Sequence, residues 1–172
     1  MSTRARFEAQ VLPHLDAAYN LARWLTRNHH DADDVLQEAL LRAYRFYGGL
    51  RGEPRPWLLA IVRNACWTWL QANRPAELAV SDDEPQADTP GPETLALREL
   101  DRRALNDAIA ALPVPFREAL VLRELEDLSY KDIARIAGVP IGTVMSRLAR
   151  ARRLLAEALA PAAAAPRLRL HK

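Results

Sequence analysis

Gly138-Val139-Pro140 constrains this chain more than any other tripeptide, because it separates two short stretches whose apolar residues recur three and four apart. In residues 128–155, LSYKDIARIAGVPIGTVMSRLARARRLL, Ser129 suits a helix N-cap and Asp132 completes an imperfect capping box. Ile133, Ala134, Ile136 and Ala137 then supply a buried side. Glycine permits the left-handed backbone of a tight turn, Val139 plugs the corner, and Pro140 opens the next helix. The pattern predicts a helix-turn-helix. Winding 141–155 at about 100° per residue gathers Ile141, Val144, Leu148, Ala151 and Leu155 in one apolar sector, with Gly142, Ser146, Ala149, Arg150 and Arg153 opposite. Small residues let such a helix approach a groove closely, and the Ser146 hydroxyl can bond a base or a phosphate. Arg147, Arg150, Arg152 and Arg153 meet no acid within 140–155, so this helix reads as a reader of duplex DNA rather than a solvated basic face.

The rest of the chain sets the context. Its 172 residues allow one ordinary domain or two small ones. Flanking blocks lack the alternating β-branched runs of strands and keep the helical spacing, so the expected fold is all-α, two small helical domains. The net charge of +2 hides segregation: residues 75–101 carry one base and eight acids, and the blocks on either side are mildly basic. Residues 75–92, PAELAVSDDEPQADTPGP, read as a flexible acidic linker that buries too little to offset its ordering entropy. Domains are expected at 5–74 and 93–159, with a frayed, proline-interrupted tail at 160–172. The longest strictly apolar stretch, Trp57 to Val62, is far shorter than the roughly 20 residues of a membrane span. A cytoplasmic protein with no membrane insertion is expected. A single cysteine, Cys66, excludes a disulfide framework and a cysteine zinc site within the chain.

In the first block, helices are predicted near 5–27, 31–47 and 55–73, with a kink or break at Pro13; in the second, near 93–111, 115–125, 129–137 and 141–159. On 31–47, Val35, Leu36, Ala39, Leu40, Ala43, Phe46 and Tyr47 fall on one side. Asp34, Gln37, Glu38, Leu41 and Arg45 fall opposite, and a leucine ringed by charge and amide has the make-up of a small protein-docking surface. An ordinary solvated face with one stray leucine fits the pattern as well. His30, Asp34 and Glu38, four apart, could also hold a metal, but acids in a first helical turn need no metal to explain them. On 55–73, Leu58, Ile61, Val62, Ala65 and Trp69 point to the core, while Arg63 and Trp67 share the outer face and Asn64 borders it. Tryptophan beside arginine suits single-stranded nucleic acid, since a base stacks on the ring and the cation holds a phosphate. Trp67 could equally close the edge of the core. The loop 48–56, GGLRGEPRP, is placed to add Arg51 and Arg55 to that surface.

These residues resemble a known family. HDADDVLQEALLRAYRF followed by PRPWLLAIVRNACWTWL is similar to conserved region 2 of bacterial sigma factors, and LPVPFREALVLRELEDLSYKDIARIAGVPIGTVMSRLARARRLL to their region 4. The two regions with only a linker between them resemble the extracytoplasmic-function (ECF) sigma factors, over about 5–74 and 93–158. The resemblance implies binding to core RNA polymerase, direction to promoters and help in opening the DNA. It implies docking of Asp34, Gln37, Glu38 and Leu41 on the clamp helices of the largest subunit, and of the second domain near the flap. It places loop 48–56 with Arg63, Asn64 and Trp67 on a melted minus-ten strand. Thr143, Ser146, Arg147, Arg150 and Arg152 fall where region 4 enters the minus-thirty-five major groove, with Arg153 beside them; Met145 departs from the basic residue the family often carries there. An anti-sigma factor is the implied regulator. No nucleophile-base pair, phosphate-cradling glycine loop or metal cluster is evident, so no catalysis and no cofactor are expected. The competing reading is a stand-alone helix-turn-helix regulator whose first 74 residues sense or dimerise.

Overall fold

The computed structural model describes residues 1–81 and 102–169, residues 161–169 by their backbone alone. Among the described residues all regular structure is helical. The first half holds α1 (Thr3–Val11), α2 (Leu15–Thr26), α3 (His29–Arg45) and α4 (Pro54–Asn73); the second holds α5 (Arg102–Ala110), α6 (Val114–Leu120), α7 (Tyr130–Ala137) and α8 (Ile141–Arg169).

Local chemistry explains the boundaries. Pro13 splits the predicted first helix through a 3-10 turn at Leu12–His14. Asn28 caps α3, its side chain accepting from the His30 and Asp31 amides at 2.8 and 3.2 Å. Pro54 is the first residue of α4, where a missing N–H costs nothing. Ser129 caps α7 by accepting from the Asp132 amide at 3.1 Å, and Gly138 ends it at φ 67°, so the helix-turn-helix forms as its sequence predicts.

Three boundaries differ from the sequence reading. The predicted helix 115–125 is α6 followed by one π-helical turn, Val121–Leu125, in which the Glu126 amide donates to the Val121 carbonyl five residues back, at 3.1 Å. Periodicity cannot distinguish one wide turn from an α-turn. The predicted linker begins as structure: Pro75–Leu78 is a 3-10 turn, and Leu78 and Val80 pack against the core, two apolar residues that the acidic average of the segment concealed. Residues 82–92 of that linker and 93–101 of the predicted helix 93–111 lie outside the described residues. The last helix continues past 159 to Arg169, carried by alanine, the strongest helix former, instead of fraying at Pro161; residues 170–172 lie outside the description.

The two halves share one core. Leu21, Leu25, Val35, Leu58, Leu59, Val62 and Cys66 from the first half form a single buried cluster with Val121, Leu122, Ile133, Ile136 and Leu148 from the second. Each such side chain contributes about 1.5–3 kcal/mol when fully buried. A smaller cluster, Ile109, Leu112, Phe116, Leu120, Ala151 and Leu155, joins α5, α6 and α8, with Val80 laid over it. Helix α4 lies at the centre, packed by α2 and α3 on one side and by α7 on the other.

Candidate functional site

The outer face of α3 is open. Asp34, Gln37, Glu38, Leu41 and Arg45 are all exposed, Leu41 at 72% of its surface, while Ala32, Val35, Leu36, Ala39 and Ala43 are buried beneath them. The sequence misjudged only the end of the apolar side, since Phe46 lies past the last turn of α3 and is exposed. Beside Leu41 runs a groove of about 630 Å³ between α1 and α3, lined mainly by Phe7, Leu12, Leu40, Leu41 and Tyr44. Among the described residues no three His, Cys, Asp or Glu side chains gather as a metal ion requires, His30, Asp34 and Glu38 included.

The outer face of α4 is covered by the second half. Arg63 donates from Nε to Glu118 Oε1 at 2.5 Å and from Nη2 to Oε2 at 3.4 Å, and the Trp67 indole N–H donates to the same Oε1 at 3.0 Å. The Arg63 guanidinium also lies over the Trp67 ring, 4.0 Å from its centroid. Arg55 donates to the carboxylate and the backbone carbonyl of Glu126 at 2.8 and 2.6 Å, and Asn20 donates to Glu126 Oε1 at 2.9 Å. Asn64 and Arg51 remain exposed. Of the five residues predicted to hold unpaired DNA, three are therefore bound by two carboxylates of their own chain.

Sequence reasoning missed Glu118, Glu126 and Arg117. Glu118 and Arg117 are each only 1% exposed. The signal was the charged pair Arg117-Glu118 inside VPFREALVL, an otherwise apolar run that is buried throughout. The Arg117 guanidinium donates to the carbonyls of Ala110, Leu112 and Leu25 at 2.7, 2.8 and 3.3 Å, satisfying the end of α5 and tying α6 to α2. Burial, reinforced by the nearby Arg27 cation, lowers its pKa to about 10. Cys66, behind Arg63 on α4, is buried, and desolvation together with Glu118 pushes its thiol up to about 12. A protonated, enclosed thiol is inert.

On α8 the structure rearranges the predicted reading face. Ile141, assigned to the core by periodicity, is 46% exposed, because the first turn of α8 projects beyond the helices it packs on. Met145, four residues on, is 52% exposed, and Gly142 and Ala149 are exposed beside it. Thr143 and Ser146 are half-buried, and the Ser146 hydroxyl donates to the Gly142 carbonyl at 3.0 Å. The arginines are engaged. Arg147 is buried, Arg150 donates to the Ser81 carbonyl and lies 4.8 Å from the Phe116 ring centroid, and Arg152 pairs with Glu124 at 2.7 Å. The sequence found no acid near these arginines because it searched along α8; Glu124 arrives from the π turn. Arg153 is half-buried at the far end of the face.

This arrangement offers an open face of mixed polarity on α3, a cation and aromatic cluster on α4, and a helix-turn-helix at the opposite end of the chain. Residues 11–75 match the family described as Sigma-70 region 2, and residues 102–155 that described as Sigma-70, region 4. The chain is 35% identical over 167 residues to the RNA polymerase sigma-H factor of Pseudomonas aeruginosa, a similarity covering 90% of this chain and 86% of that one. It is 37% identical over 155 residues to the ECF RNA polymerase sigma-E factor of Haemophilus influenzae, covering 82% and 80%. Among solved structures it is similar to the sigma factor RpoE from Bartonella quintana, determined in complex with the anti-sigma factor NepR. That likeness has a TM-score of 0.70 at 27% identity and covers 90% of this chain and 96% of that one. CnrH, determined in complex with the cytosolic domain of CnrY, shares the fold at a TM-score of 0.67 and 22% identity, covering 92% and 90%.

Proposed function

The chain belongs to the sigma-70 family, in its extracytoplasmic-function branch, and from that membership we propose which of its surfaces do the family's work. Its function is that of a sigma factor: it binds core RNA polymerase and directs the enzyme to promoters. We take residues 5–74 as the region 2 unit and 93–159 as the region 4 unit.

In this reading the open face of α3 docks on core polymerase. Leu41 enters a hydrophobic site on the clamp helices of the largest subunit, and Asp34, Gln37 and Glu38 bond around it. The surface of α4 takes the melted minus-ten strand: Trp67 stacks a base, Asn64 bonds its edge, and Arg51, Arg55 and Arg63 hold phosphates. The region 4 unit sits near the flap and lays α8 in the minus-thirty-five major groove. There Thr143, Met145 and Ser146 face the bases, and Arg147, Arg150, Arg152 and Arg153 neutralise the backbone. Each hold is weak alone; polymerase fixes their spacing, so that the second contact forms at high effective concentration and the gain drives opening. The chain brings no catalysis of its own, and the polymerase does the chemistry. Among the described residues no helix is long and apolar enough to cross a membrane, and the chain works in the cytoplasm beside polymerase, under the control of an anti-sigma factor.

The observation that carries this reading is Leu41, more exposed than Leu12, Tyr44 or Phe46 in the same half, in its ring of Asp34, Gln37 and Glu38. Run-off transcription with purified core polymerase on a genomic promoter library tests it. New start sites appear when the chain is added; no start above those of core alone refutes it.

A further inference from the structure

The cluster on α4 is not free to take a strand in this chain. Arg63 covers one face of the Trp67 ring, Glu118 accepts from the ring's N–H, and Glu118 is 1% exposed, so no base reaches that ring face. The second grip lies nearer the surface: the Glu126 side chain, 8% exposed, holds Asn20 and the partly exposed Arg55 together. Glu118 comes from α6 itself and Glu126 from the residue that ends the π turn, and that turn is what brings Glu126 to Arg55, because its amide bonds five residues back and the chain reverses directly after it at Asp127, φ 54°.

The partners of these two carboxylates are those a nucleic-acid strand would use. A carboxylate and a phosphate are both anions with planar or fanned oxygens that accept from guanidinium and N–H donors. We propose that Glu118 and Glu126 stand in for promoter DNA: in the free chain they occupy Arg55, Arg63 and Trp67, and a melted strand enters only when the second half swings off α4. This rests on the reading of α4 as the strand-binding surface. Exchange of one anion for another leaves the cations satisfied before and after, so the barrier to opening lies in the apolar seam where α4 meets α7. Capture of the strand by the isolated protein is suppressed without weakening capture inside the polymerase complex, where the halves are held apart.

The test uses the full chain and a fluorescein-labelled pool of random 12-nucleotide single strands, read by anisotropy at low salt. Glu118→Gln/Glu126→Gln keeps the shape and removes both charges; it should bind the pool at least tenfold more tightly than the unaltered chain. Asp33→Asn/Asp107→Asn removes two charges from exposed positions and should tighten binding by less than threefold. In the same proteins, dyes on cysteines introduced by Arg45→Cys and Glu157→Cys should report less energy transfer in the double Gln variant alone. Equal affinity for variant and unaltered chain, equal gains in both double variants, or tighter binding without loss of transfer overturns the proposal. Should the double Gln variant fail to fold, Glu126→Gln at the rim of the seam is read the same way, with a threefold gain as its threshold. Run-off transcription with core polymerase separates this failure from that of the function: normal initiation with unchanged strand binding defeats the latch alone, and no initiation by any form defeats the sigma-factor reading.

Discussion

Helices α3 and α4 lie side by side in the same half and each carries a mixed face that suits a partner, yet their fates in the folded chain are opposite. On α3, Asp34, Gln37, Glu38 and Leu41 face open space; on α4, Arg55, Arg63 and Trp67 are held by acids from across the molecule. The face proposed for polymerase is ready, and the face proposed for DNA is occupied. On the proposed roles the difference implies an order of events, with polymerase engaging α3 first and the strand reaching α4 after the halves have parted.

Breaking the open side gives the largest effect. Leu41→Asp should weaken binding to core polymerase by about 100-fold, the loss expected when a central apolar anchor becomes a charge, about 2.7 kcal/mol. Its thermal unfolding should stay within about 0.5 kcal/mol of the unaltered chain, because Leu41 packs on little. Titration of labelled core checks the first and calorimetry the second; equal affinity removes α3 from the docking surface.

The covered side should respond the other way round. Arg63→Ala strands the Glu118 carboxylate, a loss of about 3–5 kcal/mol in a seam that cannot open. Under the proposed opening the halves part and rehydrate the acid, which limits the cost to about 2 kcal/mol. The melting midpoint should fall while core binding holds. Unchanged stability would mean that the seam is not closed in solution.

A smaller effect sharpens the role of Trp67. Trp67→Ala should reduce run-off transcription from linear duplex by about tenfold, the worth of one base stack, and much less from a template already mispaired at minus ten. Equal losses would make Trp67 a packing residue only. Smallest of all, Cys66, with its thiol pKa raised to about 12, should resist iodoacetamide at pH 8 in the native chain and react on unfolding. Rapid native alkylation would show that the helix behind Arg63 opens freely.

How much of this was legible beforehand follows from range. The helix-turn-helix was readable because Ser129, Gly138 and Pro140 act within a few residues of themselves. The face of α3 was readable because one period of 3.6 residues sorts Leu41 from Val35. Whether the outer face of α4 is open or closed was not legible, because Glu118 and Glu126 lie more than 50 residues away, and spacing along one helix says nothing about what lands on it. Ile141 failed for a related reason: periodicity gives its direction, and only the length of the neighbouring helices decides whether anything waits there. The start of the linker was hidden by averaging, since Leu78 and Val80 are two apolar residues among acids.

Hydroxyl-radical footprinting of the chain alone and bound to core polymerase, without DNA, reads both helices in one measurement. The account predicts a reciprocal change: Leu41 is oxidised in the free chain and protected in the complex, and Trp67 is protected in the free chain and oxidised in the complex. Trp67 equally reactive in both states, or Leu41 unaffected by polymerase, would contradict it.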